Sequence, residues 1–394
     1  MLYNFDTVIE RHATNCIKWR QFPQDVLPLW VADMDFAAPE PIRKALQCTL
    51  DHGVLGYEFP TMELRETVAA RMQALYGWQV SPEAVVATPG VVAGFTAAAH
   101  TLCTTGQGIL VQPPVYPPFL KVHEAGGWMR QDAPLAMEIV GSRLQYAVDF
   151  EVFQKALHSG DAQTGMFLLC NPHNPTGQAY TREDLGRMAD ICLKNDIVIC
   201  SDEIHSEILL GGASHIPIAG LDPEIADHTI TLVAPSKTFN VPGLFCGFAI
   251  IPNPDLLARY KRTVERMAMH VSSLGLVAAQ VAFSGDCDEW LESLRAYLTA
   301  NRDFLVEFIQ SQFAGIRTTL PAATYLAWLD CSGLAASGKM GGTPHEFFLK
   351  QAKVALNEGR EFGPGGEGFV RLNFGCPRAT LVEALGRMQS ALSV

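Results

Sequence analysis

Met166-Phe-Leu-Leu-Cys170-Asn-Pro-His-Asn-Pro-Thr-Gly177 sets an unbroken apolar run directly against a turn. Five consecutive apolar residues, with no polar residue alternating between them, read as a β-strand covered on both faces. The Asn-Pro and Thr-Gly pairs that follow are turn chemistry. The arrangement recurs downstream. Ile197-Val-Ile-Cys200 runs into Ser201-Asp-Glu-Ile-His205, and Thr229-Ile-Thr-Leu-Val233 runs into Ala234-Pro-Ser-Lys237. Between the first two runs a helix opens at Thr181, where Thr181-x-x-Asp184 resembles a capping box. Upstream, Val85-Val-Ala-Thr88 precedes Pro89-Gly90 and an Ala-rich helix from about Val91, and Gly108-Ile-Leu-Val-Gln112 ends in Pro113-Pro114. Phe248-Ala-Ile-Ile251 is a further apolar run. Doubly covered strands separated by helices predict an α/β fold of three layers with a mostly parallel sheet. Ligands on such sheets sit at the carboxyl ends of the strands.

Beyond about residue 253 the pattern changes. Long amphipathic helices are predicted over roughly 254–284 and 287–312. A strand at Tyr325–Leu329, a helix near 344–353, a Gly-rich loop from Gly359 to Gly368, a strand at Phe369–Asn373 and a last helix follow. This part reads as a smaller α+β unit.

The chain has 394 residues, 48% hydrophobic and 18% charged, with a net charge of −12. That is ordinary globular composition. An acidic chain without a basic run argues against binding nucleic acid or anionic membrane. The most apolar region, Val85 to Cys103, is interrupted by Pro89, Gly90, Gly94 and His100, so no membrane span is expected. The ten cysteines contain no C-x-x-C pair and do not suggest a metal knuckle or redox dithiol. The N-terminus shows no signal-peptide pattern, and the expected compartment is the reducing cytosol.

Four features fall just past, or within, predicted core strands: Asn171–Gly177, Ser201–His205, Ala234–Lys237 and Arg371. Each is common alone. Asn-Pro-Thr-Gly is usually a plain turn, an aspartate like Asp202 can cap a helix or pair on the surface, Lys237 alone reads as a solvated lysine, and Arg371 alone as one half of a surface ion pair. Together and in this order they resemble the pyridoxal-phosphate (PLP) enzymes of the aspartate-aminotransferase superfamily, fold type I. Trp30-Val-Ala-Asp-Met-Asp-Phe36, Asn171-Pro-His-Asn-Pro-Thr-Gly177, Ser201-Asp-Glu-Ile-His205, Pro235-Ser-Lys-Thr-Phe-Asn240 and Arg371-Leu-Asn-Phe-Gly-Cys-Pro377 are most similar to the MalY/PatB-type carbon–sulfur lyases, the cystathionine β-lyase and cystalysin group. The resemblance covers essentially the whole chain.

It implies a large PLP-binding domain over 41–280 and a small domain from 1–40 and 281–394. It implies that Lys237 tethers the cofactor's aldehyde and moves a proton at the substrate Cα. Asp202 would keep the pyridine nitrogen protonated, which the cofactor needs as an electron sink. Asn174 matches the partner of the phenolic oxygen, and Tyr116 the aromatic stacked on the ring. Ser236 and the amides of Val91 and Val92 match the phosphate cup; a helix N-terminus favours an anion on physical grounds too. Arg371 matches the clamp on the substrate α-carboxylate, a two-pronged pairing that lysine cannot copy.

Two positions depart from the aminotransferase pattern and match the lyase group. His205 stands where aminotransferases commonly have tyrosine, and is either a donor to the cofactor or a neutral packing histidine. Phe245 stands where a phosphate-binding arginine is usual. The resemblance also implies a homodimer in which Tyr57 reaches the partner's PLP phosphate. Read from its own neighbours, Tyr57 is a turn residue after Gly56. The expected reaction is β-elimination of L-cystathionine or related cysteine S-conjugates. An aminotransferase is the alternative, and a regulatory protein partner is a role from another class. His173 and His215 show no metal-like spacing, and no metal is expected.

Overall fold

A computed structural model describes residues 3–159, 162–336 and 340–393. Its centre is a seven-stranded sheet of β1 Val85–Thr88, β2 Gly108–Val111, β3 Met129–Asp132, β4 Thr164–Cys170, β5 Val198–Asp202, β6 Thr229–Val233 and β7 Gly247–Ile250. The spatial order is β1-β7-β6-β5-β4-β2-β3, all parallel except β7, which runs antiparallel to both neighbours. The apolar runs explain the layers. Met166, Leu168 and Cys170 face one side, against the helices Val91–Leu102 and Pro254–Arg266. Phe167 and Leu169 face the other, against Leu185, Met188 and Cys192 of the helix Arg182–Lys194. Strands buried on both faces need both helical layers, hence the absence of polar alternation. The Thr181 hydroxyl accepts from Asp184 N at 3.1 Å and donates to its carboxylate at 2.7 Å, closing the first turn of that helix.

A second sheet has the order 357–358, 369–373, 326–330, 317–318, 143–147, 136–140. Its last two strands form a hairpin from the middle of the chain, joined to the C-terminal strands where Arg143 pairs with Thr318. The N-terminal Leu27–Pro28 pairs in parallel with Val354–Ala355.

Two sequence expectations need correction. The helix expected over 254–284 is two, Pro254–Arg266 and Ser273–Phe283, with Ala268 at φ 48° between them. The first packs on Val91–Leu102, where Tyr260 donates to Gly94 O at 3.0 Å. The second packs on Glu40–His52 and Met62–Tyr76. One straight helix cannot serve both directions, and both halves are apolar enough to hide the break. The helix near 344–353 is an α-turn, Pro344–Phe347, followed by a π-helical turn, Phe348–Ala352, ended by Lys353 at φ 55°. The sheet is mostly parallel, as expected; the direction of its last apolar run, the antiparallel β7, is something hydrophobic pattern does not encode.

The Gly-rich loop is close-packed. A Cβ on Gly359 would lie 2.2 Å from Gly366 O and 2.4 Å from Phe369 O, so only glycine allows this backbone crossing.

Candidate active site

The carboxyl ends of β4, β5 and β6 and the strand 369–373 bring the charged candidates to one place. Asp202 is the last residue of β5 and is buried. Its Oδ1 accepts from Ile204 N at 3.1 Å. Burial pushes its carboxyl up to about 7, against the pull of Lys237 and the Ile204 amide. Lys237 lies in the short helix Pro235–Thr238 just past β6 and donates from Nζ to Ala32 O at 2.5 Å. Burial and the neighbouring Arg371 bring its amine down to about 8; Asp33 and Asp202 act the other way.

Arg371 is buried in the strand 369–373. Nη1 donates to Asn174 Oδ1 at 3.0 Å, and Nη2 donates to Trp30 O at 3.0 Å and Asn357 Oδ1 at 2.6 Å. Nε is buried without a hydrogen-bond partner, and the guanidinium carbon lies 5.0 Å from the centroid of the Phe362 ring. All its hydrogen-bond acceptors are neutral, and burial lowers its proton affinity to about 10, outweighing the opposite pull of Tyr116, Tyr325 and Glu361. A buried guanidinium held by neutral acceptors is a receptor for an anion.

Tyr116 is half-buried, with its amide donating to Asn174 O at 3.0 Å, and burial raises its phenol. His205 is buried edge-on to Tyr325, ring centroids 5.9 Å apart. Burial, followed by the charges of Lys237 and Arg371, holds it well below its ordinary pKa. It is neutral at physiological pH, and its Nδ1 has no partner.

Val91 and Val92 open the helix Val91–Leu102, with Gly90 at φ 106° as its N-cap. Their amides have no intrahelical acceptor, as at any helix start. The Gly90 turn packs on β6 and β7: a Cβ on Gly247 would sit 3.3 Å from Val233 O and 3.4 Å from Gly90. Ser236 is buried in the turn that leaves β6. Phe245 is two-thirds exposed at φ 48°.

Tyr57 is fully exposed, in a stretch from 51 to 59 that is exposed throughout, so it stands outside this chain's own site. His215 Nε2 pairs with the buried Glu203 Oε2 at 2.8 Å, and His173 Nδ1 with Thr176 Oγ1 at 2.9 Å. Among the described residues, no three His, Cys, Asp or Glu side chains converge as a metal site.

Residue reasoning missed the Trp30–Asp33 backbone as part of the site. Trp30 O takes Arg371, Ala32 O takes both Lys237 and the Tyr325 hydroxyl (2.9 Å), and Asn373 Nδ2 bonds Val31 O and Asp33 O at 2.7 Å each. The signal was present in Trp30-Val-Ala-Asp-Met-Asp-Phe36, but carbonyl acceptors leave no side-chain signature.

These groups fit pyridoxal 5′-phosphate on their own chemistry. The set has an amine with lowered proton affinity, a buried carboxylate without a salt-bridge partner among the described residues, and a helix start beside the strand that leads into the lysine.

Comparison with known proteins agrees. The profile of the family "Aminotransferase class I and II" matches residues 24–388. Cystathionine beta-lyase PatB of Bacillus subtilis is 39% identical over 99% of this chain and 100% of that protein. Cystathionine beta-lyase of Corynebacterium glutamicum is 34% identical over 98% and 100%. Among solved structures, cystalysin from Treponema denticola, which contains pyridoxal 5′-phosphate, superposes with a TM-score of 0.92 at 31% identity, covering 100% of this chain and 99% of that one. The chain therefore belongs to the aminotransferase class I and II family, within the PLP-dependent enzymes of fold type I.

Proposed function

We propose that the chain is a PLP-dependent carbon–sulfur β-lyase. It would convert L-cystathionine or a related cysteine S-conjugate, with water, to a thiol, pyruvate and ammonium. The observation that carries this reading is the pairing of Arg371 and Lys237 on one short backbone segment, Trp30–Ala32, with Asp202 behind them. The relatives named as cystathionine beta-lyases support the choice of lyase over aminotransferase.

Bound PLP supplies the electron sink for the pair left when the substrate Cα loses its proton. The chain's own residues do the rest. Arg371 takes the α-carboxylate in a two-pronged bond and so orients Cα. Lys237 would anchor the cofactor and, once the substrate's amine has taken its place, its freed amine would take the Cα proton; an affinity near 8 suits exchange close to neutral pH. Asp202 would pair with the pyridine nitrogen, which would give a counter-charge to a carboxylate that burial disfavours. Asn174, which braces Arg371, would bond the phenolic oxygen. Tyr116 would cover the ring. Val91, Val92 and Ser236 would hold the phosphate. His205, neutral, offers Nδ1 to the site's polar groups.

The working unit is a homodimer. Leu50, Val54, Leu55, Tyr57, Phe59 and Met62 form an exposed apolar stretch, which supports an interface with a second copy. Tyr57 would cross it to the partner's phosphate. The compartment is the cytosol, in keeping with ten free thiols.

Purified holoenzyme with L-cystathionine tests the reaction. Release of pyruvate and free thiol without added keto acid supports the lyase, and accumulation of pyridoxamine phosphate assigns the aminotransferase instead. Borohydride reduction and peptide mapping test the site, with the pyridoxyl group expected on Lys237. Mixing Lys237→Ala with Tyr57→Ala chains tests the dimer, because a hybrid rebuilds one whole site and recovers activity.

A further inference from the structure

Behind the Trp30–Asp33 segment sit four charges that the proposed reaction does not use. Arg11 donates from Nη1 to Asp35 Oδ1 at 2.5 Å and from Nη2 to Asp33 Oδ2 at 2.7 Å. The fully buried Lys18 donates to Asp35 Oδ2 at 2.7 Å and to the backbone carbonyl of Asp33 at 3.1 Å. Trp19 adds its indole N–H to Asp35 Oδ1 at 2.9 Å.

The two carboxylates differ. Both oxygens of Asp35 receive hydrogen bonds. Asp33 Oδ1 is buried, accepts none, and faces Lys18 Nζ only at 3.7 Å. Buried ion clusters are a poor route to stability, since apolar side chains of similar volume commonly do as well. Position is the better explanation. The Asp33 backbone is held by Lys18 and Asn373, its side chain by Arg11, and the next carbonyl back along the chain, that of Ala32, receives Lys237 and Tyr325.

We propose that Asp33 is a positioning residue for Lys237: clamped between Arg11 and Lys18, it fixes the Ala32 carbonyl against the lysine amine and faces that amine with an incompletely neutralised carboxylate.

The groups around the amine make the charge effect separable. Arg371 faces it from the strand 369–373, Asp202 from the end of β5, and Asp33 from the N-terminal segment. His205 is neutral, and the phenols of Tyr116 and Tyr325 are raised by burial and uncharged. Once Asp202 is engaged by a pyridine nitrogen, Asp33 is the remaining carboxylate acting on Lys237. The functional meaning rests on Lys237 being the cofactor lysine. Trapping of the pyridoxyl group on another lysine would remove that meaning without altering the coupling between Asp33 and Lys237, so the two failures are distinguishable.

The test is the pH dependence of Lys237 modification by trinitrobenzenesulfonate in the full-length, cofactor-free chain, read by peptide mass spectrometry. Asp33→Asn keeps shape and removes the charge, and the midpoint is expected to fall by about half a pH unit or more. Arg11→Gln frees the Asp33 charge, and the midpoint is expected to rise. A purely structural role would loosen the segment in both variants, admit water and raise both midpoints. If Asp33→Asn does not fold by circular dichroism, Asp33→Ser replaces it with the same expected fall. Opposite shifts support the proposal. An unchanged or higher midpoint without the Asp33 charge, or a lower one in Arg11→Gln, overturns it.

Discussion

Two arginines in this molecule are equally hidden and oppositely equipped. Arg71 and Arg371 are each 4% exposed. Arg71 is bonded to Glu207 at 2.6 Å and to Asp288 at 2.7 Å, and these carboxylates outweigh burial and raise its proton affinity. Arg371 has amide and carbonyl acceptors, an aromatic face and an unpaired Nε, and burial lowers its affinity. The first charge is consumed inside the fold. The second is braced by groups that fix its direction and leave the charge itself uncancelled. The same contrast separates Asp35, saturated by its partners, from Asp202, which has one backbone amide. Burial alone does not mark a functional charge; the charge balance around it does.

The sharpest way to break this comparison is to truncate both arginines. Arg371→Ala is expected to lower kcat/KM by roughly a hundredfold to ten-thousandfold, the worth of two charge-assisted hydrogen bonds at about 1.5–3 kcal/mol each. Its melting temperature is expected to stay near that of the parent. Arg71→Ala strands Glu207 and is expected to cost about 3–5 kcal/mol of stability, with activity per folded molecule little changed. Paired melting curves and steady-state kinetics check both; exchanged outcomes would reverse the assignment. Asp202→Asn comes next, with an expected loss of roughly a hundredfold or more in rate, measured on cofactor-loaded protein.

A smaller effect lies in the pH dependence of the cofactor-free chain. Asp202 holds its proton to about pH 7 in the fold, against an ordinary value of 3.8. The folded state therefore binds more protons across that window, and this contribution to stability is lost as pH rises through it. Lys237, lowered from 10.5 to about 8, acts in the opposite sense above pH 8. Melting scans from pH 4.5 to 7.5 are expected to slope downward in the parent and less so in Asp202→Asn. Smallest is Phe362→Leu, which removes the aromatic face from Arg371. A cation–π contact is worth about 1 kcal/mol, so KM is expected to rise a few-fold with kcat nearly kept.

The sequence made the main sheet readable because strands buried on both faces advertise themselves as unbroken apolar runs. It made Lys237, Asp202, Asn174 and Arg371 readable as candidates, which the fold brings together, because a proposed role carried by a side chain leaves a residue type and an order in the chain. It could not show that residues 254–284 bend, since a break dictated by two different packing partners leaves both halves apolar. Nor could it reveal Ala32, whose contribution is a carbonyl, or Phe362, an aromatic just ahead of a run of glycines. Tyr57 was readable only through resemblance. Nothing in its own chain explains why a tyrosine should stand fully exposed there.

The second sheet draws its strands from residues 136–147, 317–318, 326–330, 357–358 and 369–373, while Leu27–Pro28 pairs with Val354–Ala355 nearby. Its completion must therefore await the last quarter of the polypeptide during synthesis. Until then the strand 143–147 has a bare edge on the side where Thr318 later pairs with Arg143. The strand holding Arg371 is also among the last to arrive. The proposed carboxylate receptor is thus assembled at the end of folding, and a nascent chain that has already closed its seven-stranded sheet is still without it.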